Sequence, residues 1–508
     1  MELLTAKYGD RVSGILKCYD RIIIGGTLPE LCFSEGMTSY LYKRGVKIFD
    51  YPRFAEPYRE QLRENAERLA QENGIQIEFL AKSDVRKESL VNKVLKARGT
   101  HEGLVHILSA MEACPSYKPW HDKRTGKNFL KGIQGKCLHY YFYFIDAYLG
   151  LCYVRVPTWC PFRLQIYFNG HNLLKQQLEK AGIGYTMLDN AFDYIEDGSD
   201  GQSGWSKAQQ LSDKLDVKTI HHRLDEFAEH FCPVYKDFGQ IYHWSILQAE
   251  YATDIVFSKQ SDLQAIYEDL IATAIHIVKP GNIATFLGQK LDPRYQGEIG
   301  NNYNIRIQGS RIKHNMGPNT IKMYDKFSKI LRIETTTNKV SFFKHYRQVE
   351  HKDGTSSRKM AGLKKNIYSL PLLKESLCMA NQRYLEFISA IEDKNHGRKR
   401  LEKVSQTKTS NNRNYKGFNF FSHQDTIILL SLLKGEFNIA GFHNKHLRQL
   451  LPHMNSGQIS RLLKRLHVHG LLKRARNTYR YYLTKLGKEV LTMAEKIKEM
   501  VIIPALNY

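Results

Sequence analysis

The chain has 508 residues, with 75 lysines and arginines against 51 aspartates and glutamates, and its formal net charge is +24. Apolar residues make up 42% of the chain, which excludes wholesale disorder, and the length corresponds to about three domains. Eight scattered cysteines without a C-x-x-C pair exclude a zinc ribbon and argue against a disulfide scaffold. No apolar run approaches the ~20 residues that span a bilayer. The composition therefore indicates a cytoplasmic protein that does not enter a membrane.

The excess positive charge is concentrated towards the C-terminus. From Lys394 onward the chain carries 22 basic and 6 acidic side chains, a net +16, which leaves +8 for the first 393 residues. Basic side chains gain affinity for nucleic acid by releasing counterions from phosphates. The charge distribution therefore predicts a polyanionic partner, with DNA favoured and RNA left open.

Residues 1–235 are predicted to form an N-terminal α/β region of short strands and amphipathic helices. Its strands are enriched in aromatic and β-branched residues. The sequence predicts a helix over Glu56–Glu72 and strands over Arg21–Ile24, Gly103–Leu108, His139–Asp146, Leu151–Pro157 and Arg163–Phe168.

Residues 236–393 are predicted to form a central β-sheet and helix domain. The expected helix covers Asp262–Val278, and the expected strands cover Tyr251–Phe257, Tyr303–Gln308, Ile321–Lys326 and Ile330–Thr337. Side chains two residues apart share one face of a strand. The spacing therefore pairs Tyr324 with Lys326 on one strand face and Arg332 with Glu334 on another.

If these polar faces coincide, the sheet carries a set of residues suited to cutting a DNA strand. Asp254 and Glu334 are predicted to hold Mg²⁺ or Mn²⁺ through oxygen ligands. Tyr324 is the predicted nucleophile, with Tyr303 and Tyr251 as the alternative candidates. Lys326 and Arg332 are expected to neutralise charge on the phosphate. The alternative interpretation is an Arg–Glu cross-strand pair within an ordinary sheet.

The segments T-D-I-V-F, Y-D-K and L-R-I-E-T-T resemble rolling-circle replication initiators, especially the filamentous-phage replication endonuclease type. That resemblance implies tyrosine-mediated nicking by the central domain. The N-terminal stretches Y-G-D-R-V-S-G, Y-D-R and L-H-Y-Y-F-Y-F-I-D resemble uncharacterised bacterial proteins of mobile elements, a resemblance that implies no site residues. A rival hypothesis places Asp20, Asp146 and Glu334 in an RNase H-like, two-metal nuclease or transposase.

A polar, basic linker is predicted over 394–417, followed by a C-terminal module over 418–508. The module is expected to contain helices over Asp425–Leu433, Asn444–Leu451 and Ser456–His469, a hairpin over Lys473–Thr484, and a last helix over Lys485–Met500. This order resembles the winged-helix domains of the MarR-like transcription-factor group, and the resemblance implies DNA binding.

The third helix of this module is amphipathic. Its apolar positions Ile459, Leu462, Leu463 and Leu466 are expected to face inward. Its polar residues and the basic hairpin are expected to contact base edges and phosphates. The predicted contacts are Ser456, Gln458, Arg461, Lys464, Arg465, Lys473, Arg474, Arg476 and Arg480.

The sequence thus predicts an α/β (mixed α+β) multidomain body with a C-terminal winged-helix domain. The leading hypothesis is a mobile-element protein that recognises DNA and nicks or joins its strands, as in replication initiation or transposition. The alternative is a non-catalytic winged-helix transcriptional regulator or an RNA-binding accessory protein.

Overall fold

The computed structural model describes residues 2–81, 86–199, 201–292, 294–306, 309–389, 404–420, 422–433, 437, 441–475 and 478–497. It is a mixed α/β protein with a large, mostly antiparallel β-sheet, which confirms the predicted α/β class. The chain divides into two compact units, neither of which is contiguous. The first unit comprises Met1–Leu16, Ala252–Thr336 and Glu375–Tyr508, and the second comprises Lys17–Tyr251 and Thr337–Lys374.

The second unit contains helices and strands throughout its length. Its helices are Ser34–Lys43, Tyr51–Glu72, Lys87–Arg98, Gly170–Lys180, Gly204–Asp213 and Val217–Phe231. Its main strands, given as neighbours in the sheet, are Val12–Thr27, which enters the unit at Lys17, and then Leu164–Asn169, Gly150–Pro157, Asn128–Asp146, Gly103–His121 and Ile77–Phe79. Small hairpins are formed by Tyr185–Leu188 with Ala191–Ile195 and by Lys344–Glu350 with Ser356–Gly362.

The aromatic run over 139–146 is a core strand of this unit, and each of its eight residues is buried. Phe142 stacks on Phe231 at a ring distance of 4.8 Å, so one face of the strand packs on the helix Val217–Phe231. On the opposite face, Tyr141 and Tyr143 belong to an apolar cluster around Val91. The tyrosines of this run therefore contribute to packing and not to the surface.

The first unit contains the predicted central strands. Its helices before residue 390 are Glu2–Tyr8, Gln260–His276, Pro280–Phe286 and most of Leu370–Ser389. Its strands, given as neighbours, are Ile299–Arg306, Gly309–Met316, Asn319–Lys326, Ile330–Thr337 and His243–Phe257, of which the last enters the unit at Ala252. The structure confirms a strand at each predicted central position, except that Ile307 and Gln308 lie outside the described residues. It adds the strand Gly309–Met316, which was not predicted.

The sheet of the first unit packs one of its faces on the helix Leu370–Ser389. His314 is fully buried, and its Nε2 lies 3.0 Å from the hydroxyl of Tyr384 on that helix. Its Nδ1 lies 2.7 Å from Asn301 Oδ1, and burial lowers the pKa of His314 to about 3. This neutral histidine belongs to the packed face, so the opposite face of the strands is the one left for function.

The described residues of the C-terminal module include the following helices and a short hairpin. The helices are His423–Leu432, Asn444–Leu450, Ser456–Val468 and Lys485–Ile497, and the strand Leu472–Arg474 pairs with Tyr481–Leu483. The expected apolar stripe is confirmed, since its four members are at most 5% exposed. They share a core with Phe418, Leu429, Phe437, Phe442, Leu447, Leu471, Leu483 and Val490.

Part of the predicted linker has regular structure. Residues 394–403 lie outside the described residues, but Lys408–Ser410 pairs with Arg413–Tyr415 in a hairpin. Its turn residues Asn411 and Asn412 have φ angles of 51° and 57°. Asparagine tolerates the left-handed region that a two-residue hairpin turn requires. A turn signal inside a polar segment therefore produces a hairpin where the sequence predicts only linker.

None of the helices in the described ranges combines the length and the apolar character needed to cross a lipid bilayer.

Candidate functional site

Two neighbouring strands of the first unit place cationic side chains beside Tyr324. Their antiparallel register sets Arg311 opposite Tyr324 and Lys313 opposite Lys322. Directly opposed residues of a strand pair lie on the same face of the sheet. We call Arg311, Lys313, Lys322, Tyr324 and Glu334 the central face, because Glu334 on the next strand contacts both Tyr324 and Lys322.

Tyr324 forms a hydrogen bond with a buried carboxylate. Its hydroxyl donates to Glu334 Oε2 at 2.9 Å, and Lys322 Nζ donates to Glu334 Oε1 at 2.5 Å. Glu334 is only 2% exposed, whereas Tyr324 and Lys322 are half-buried. An activated nucleophile has the same arrangement, in which a base lies within hydrogen-bonding reach and a third group orients the base.

Asp254 and Arg332 form a buried ion pair on adjacent strands. Arg332 Nε donates to Asp254 Oδ1 and its Nη2 donates to Oδ2, both at 2.6 Å. Their side chains are 2% and 0% exposed, respectively. The sequence predicts separate roles for these residues, as metal ligand and phosphate contact. In the structure the guanidinium group of Arg332 binds the carboxylate of Asp254 in a bidentate geometry.

The two predicted metal ligands, Asp254 and Glu334, do not fit a divalent cation as they are arranged. Both oxygens of Asp254 accept hydrogen bonds from Arg332, and Glu334 accepts from Lys322 and Tyr324. An Mg²⁺ or Mn²⁺ ion needs such oxygens as ligands, and here two cationic side chains and the hydroxyl of Tyr324 occupy them. We therefore derive no chemical step through a metal at these residues.

The remaining candidates of the central sheet differ in exposure. Lys326 is half-buried at the end of its strand, with its Nζ 5.8 Å from the ring centre of Phe327. Tyr303 is 44% exposed on the strand Ile299–Arg306, whereas Tyr251 is 2% exposed and packs edge-on against Tyr19. The hydroxyl of Tyr324 contacts the carboxylate of Glu334, so Tyr324 remains the leading candidate.

In the C-terminal module, the helix Ser456–Val468 carries the predicted DNA contacts, and we call it the contact helix. It begins at an ordered cap. Asn455 Oδ1 accepts the backbone N–H of Gln458 at 2.9 Å, and Gln458 Oε1 accepts the backbone N–H of Asn455 at 2.7 Å. This capping box fixes the start of the helix. Gln458 is therefore part of the cap, and Ser456 beside it is exposed and contacts Asn444.

Arg461 and Lys464 project from the exposed face of this helix. The structure assigns neither of them an ion pair with any described residue, so their charges face solvent.

The basic residues predicted on the hairpin differ in their contacts. Lys473 is exposed. Arg474 donates to Thr478 O, and Arg480 Nε lies 3.4 Å from His443 Nε2, while Arg476 lies outside the described residues.

Arg465 has a structural role that differs from its predicted contact with DNA. Its guanidinium group donates to Asp425 Oδ1 and Oδ2 at 3.1 and 3.2 Å and to the carbonyl oxygens of Lys416 and Gly417. It also lies 3.8 Å from the ring centre of Phe418. These contacts turn the side chain towards the core of the module, because Asp425 is nearly buried and needs a cation.

Sequence reasoning missed a strand pairing and a cleft in this module. Phe442 pairs with Tyr481 in an isolated bridge, with backbone N–H···O distances of 2.9 and 2.8 Å in the two directions. Phe442 thereby adds a third strand segment to the hairpin. Beside it lies an open cleft of about 420 Å³ lined by His443, Asn444, Lys445, Arg448, Ser456 and Tyr479. In the sequence, this cleft could have been recognised from His443, which precedes the short helix Asn444–Leu450, and from Lys445 and Arg448 within that helix.

Two acids of the rival nuclease hypothesis, Asp146 and Asp20, lie in the second unit and have hydrogen-bond partners there. Asp146 Oδ1 accepts the backbone N–H groups of Tyr148 and Leu149, which is a turn role. Asp20 Oδ1 accepts from the side-chain amides of Asn169 and Asn190 at 3.0 and 2.7 Å. Asp146 therefore has a turn role and Asp20 has amide partners from distant segments, and the two-metal hypothesis stays a prediction.

Comparisons with protein-family models, with curated proteins and with solved structures find no match to this chain. The resemblances to MarR-like domains, to replication initiators and to mobile-element proteins therefore stay predictions.

Proposed function

We propose that this protein binds duplex DNA through its C-terminal module, as a winged-helix protein of mobile-element type. One observation carries the proposal: an exposed basic helix face stands beside a basic hairpin that is extended by Phe442. Helix, helix, contact helix and hairpin follow one another in the order of a winged helix. A helix of this kind fits the major groove of DNA, and a basic hairpin contacts the adjacent phosphates.

The charges of the module support this proposal. Arg461, Lys464 and Lys473 are exposed and have no recorded ion pair within the described ranges, so each is available to a phosphate. The neighbouring cleft adds Lys445 and Arg448, which lie on the second helix. A surface for an acidic protein would share this charge, and DNA is favoured because helix and hairpin match the shape of the grooves.

The first test is binding of a fluorescently labelled 25-base-pair duplex by the full chain, followed by anisotropy over a range of salt concentrations. We expect log K to fall linearly with log[salt], with a slope of about −3 to −5 for three to five phosphate contacts. An affinity that does not change with salt, or no binding at low salt, would contradict the proposal.

A second function, cleavage of a DNA strand, is favoured by the contact between Tyr324 and Glu334. In the proposed step, Tyr324 Oη attacks a backbone phosphorus and an Oη–P bond forms. The bond from phosphorus to one ester oxygen of the strand breaks, and that oxygen takes up a proton to leave as an alcohol. The phenolic proton passes to Glu334, which Lys322 orients. The cations Arg311 and Lys313 lie on the same face as this tyrosine.

Replacement of Tyr324 by phenylalanine tests this second function. We expect wild-type protein to nick supercoiled DNA and to retain a labelled strand on a denaturing gel. Tyr324→Phe should abolish the covalent adduct with duplex affinity unchanged, because the phenol is the attacking group. Glu334→Gln should lower the nicking rate about 10²- to 10⁴-fold, the usual effect of losing a general base.

Tyr303→Phe is the matched control, because Tyr303 is an exposed tyrosine of the same sheet. It should nick at the wild-type rate. The reactions are run with Mg²⁺, with Mn²⁺ and with a chelator. Full activity of Tyr324→Phe, or an adduct that disappears only in Tyr303→Phe, would reject the residue assignment. Absence of nicking under all three conditions would leave a DNA-binding protein without this activity.

A further inference from the structure

The second unit carries a two-stranded β-ribbon that extends past its neighbouring strands. Gly103–His121 pairs with Ile77–Phe79 only at residues 107–109, and Asn128–Asp146 pairs with Gly150–Pro157 only from His139 onward. From Met111↔Leu138 to His121↔Asn128 the two long strands are therefore paired with each other alone, among the described strands. At about 3.3 Å per residue this segment is about 33 Å long.

The ribbon is held in place on one face near its tip. Tyr117 is 8% exposed and its hydroxyl donates to Leu31 O at 2.6 Å. The backbone N–H of Leu130 donates to Thr38 Oγ1 at 2.9 Å. Tyr117 and Leu130 lie on the face opposite to Lys118 and its strand partner, because neighbouring residues of a strand alternate between faces. These hydrogen bonds hold the ribbon in place, and the opposite face, with Lys118 and Lys131, is left exposed.

The exposed face and the turn of the ribbon form a cationic patch. We call residues 118–131 the ribbon tip; they include one carboxylate, Asp122, and five exposed cations: Lys118, Lys123, Arg124, Lys127 and Lys131. Asp122 is used within the turn, where it accepts from the backbone N–H of Arg124 and from Thr125 Oγ1. None of the five cations has an ion pair recorded with a described residue. The next carboxylate along the ribbon, Glu112, is paired with Lys87 and Arg155, which lower its pKa to about 2.

Two lysines of the tip lie directly opposite each other and flank an exposed indole. Lys118 is the register partner of Lys131, a like-charge arrangement that costs stability in a strand pair. Trp120, two residues from Lys118 on the same face, is 42% exposed. The Nζ atoms of Lys118 and Lys131 lie 5.5 and 4.8 Å from its ring centre. An anion that binds both lysines removes their repulsion.

We propose that the ribbon tip binds single-stranded nucleic acid. An unpaired base stacks on the indole of Trp120, while Lys118, Lys131 and the cations of the turn contact the flanking phosphates. Aromatic platforms bordered by cations bind single strands in this way, whatever the base. A base inside a duplex is already stacked on both of its faces, so it has no free face that could stack on an indole. The carboxylates of an acidic peptide would be attracted to the same cations, but they supply no aromatic ring to stack on the indole of Trp120.

This site goes beyond the proposed function, because it lies in the second unit and takes unpaired strands. Binding of duplex DNA depends on Arg461 and Lys464 of the first unit, whereas binding of a single strand at the tip depends on Trp120, Lys118 and Lys131. The two can therefore fail separately, and variants of each set measured on both ligands tell them apart.

The test uses the full chain and a labelled 20-nucleotide oligothymidylate, with binding followed by anisotropy. Trp120→Ala should weaken binding about 5- to 100-fold, which is the range for loss of one stacked base. Trp120→Phe should retain most of the affinity because an aromatic ring remains. Lys118→Glu/Lys131→Glu should reduce the salt slope by about 1.4, since each single-strand phosphate contact contributes about 0.7.

The matched control is Lys93→Glu/Lys96→Glu, which makes the same change in charge at two exposed lysines of the helix Lys87–Arg98 in the same unit. It should bind the oligonucleotide as wild type does, and thermal melts verify that every variant is folded. Wild-type affinity of both tip variants would overturn the proposal. So would equal losses on duplex and single strand, which indicate a duplex site, or full competition by poly-glutamate, which indicates an acidic protein partner.

Discussion

Replacement of Arg332 by methionine is expected to lower the free energy of unfolding by about 3–5 kcal/mol, the largest stability effect in the first unit. The change leaves the carboxylate of Asp254 ionised, almost fully buried and without its bidentate partner. The measurement is the midpoint of urea unfolding at pH 7, followed by circular dichroism. Methionine has a volume close to that of arginine, so the effect reports the lost ion pair more than a cavity.

The double variant Asp254→Leu/Arg332→Met is the control for this prediction. Removing both charges together replaces the ion pair by apolar contacts, which in other buried pairs is nearly neutral. We expect the double variant to unfold close to the wild-type midpoint. If Arg332→Met is instead as stable as wild type but no longer nicks DNA, the stability prediction is wrong. Arg332 would then contact the phosphate of the DNA, as the sequence predicts.

Reversal of two charges on the contact helix is expected to have the largest effect on DNA binding. Arg461→Glu/Lys464→Glu should weaken duplex binding on the order of 100-fold at moderate salt and should flatten the salt slope by about 2. Both side chains are exposed, so we expect the unfolding midpoint to change little. Anisotropy titrations at several salt concentrations measure both quantities.

Two controls test whether a loss of duplex affinity comes from the contact helix itself, from the change in net charge, or from unfolding of the module. Lys485→Glu/Lys488→Glu changes the net charge equally on exposed positions of the last helix and should retain most of the affinity. Arg465→Ala should lower the stability of the module instead, because it removes the partner of Asp425 and two bonds to carbonyl oxygens. If duplex affinity falls equally in both charge-reversal variants, the contact helix is not the binding surface.

The central strands could be predicted because their polarity alternates locally. The predicted pair Tyr324 and Lys326 lies two residues apart, and Arg332 and Glu334 repeat this spacing on the next strand, so each face follows from a few consecutive residues. The four core positions of the contact helix could be predicted for the same reason, from a period of 3.6. Such patterns report what one segment does by itself.

Which distant segments of the chain pair with each other could not be predicted from such local patterns. Asp254 lies 78 residues before Arg332, and no local pattern encodes the register that joins them. The same holds for Arg465 and Asp425, which are 40 residues apart, and for the single bridge between Phe442 and Tyr481. Sequence spacing therefore assigned Arg332 and Arg465 to nucleic acid, whereas the fold pairs each with a carboxylate.

The ribbon strands are longer than the sequence predicts. The expected strands Gly103–Leu108 and His139–Asp146 are Gly103–His121 and Asn128–Asp146 in the structure. The added residues include Pro115 and Pro119, and proline lacks the N–H that a central strand needs. Beyond residue 109, Gly103–His121 has a described neighbour on one side only, and proline is tolerated on such an edge. Trp120 lies in the added part, so it is not among the predicted contacts.

The interleaved composition of the two units has a consequence for how the chain matures on the ribosome. The first unit takes residues from the start, the middle and the end of the sequence, and the second unit is completed only when Lys374 has been synthesised. At about 5–20 residues per second, the opening segment waits on the order of half a minute for its partners. Long-range pairing of this kind slows folding and leaves strand edges uncovered meanwhile. Residues 1–16 are therefore synthesised well before Ala252–Thr336 and Glu375–Tyr508, the segments that complete their unit.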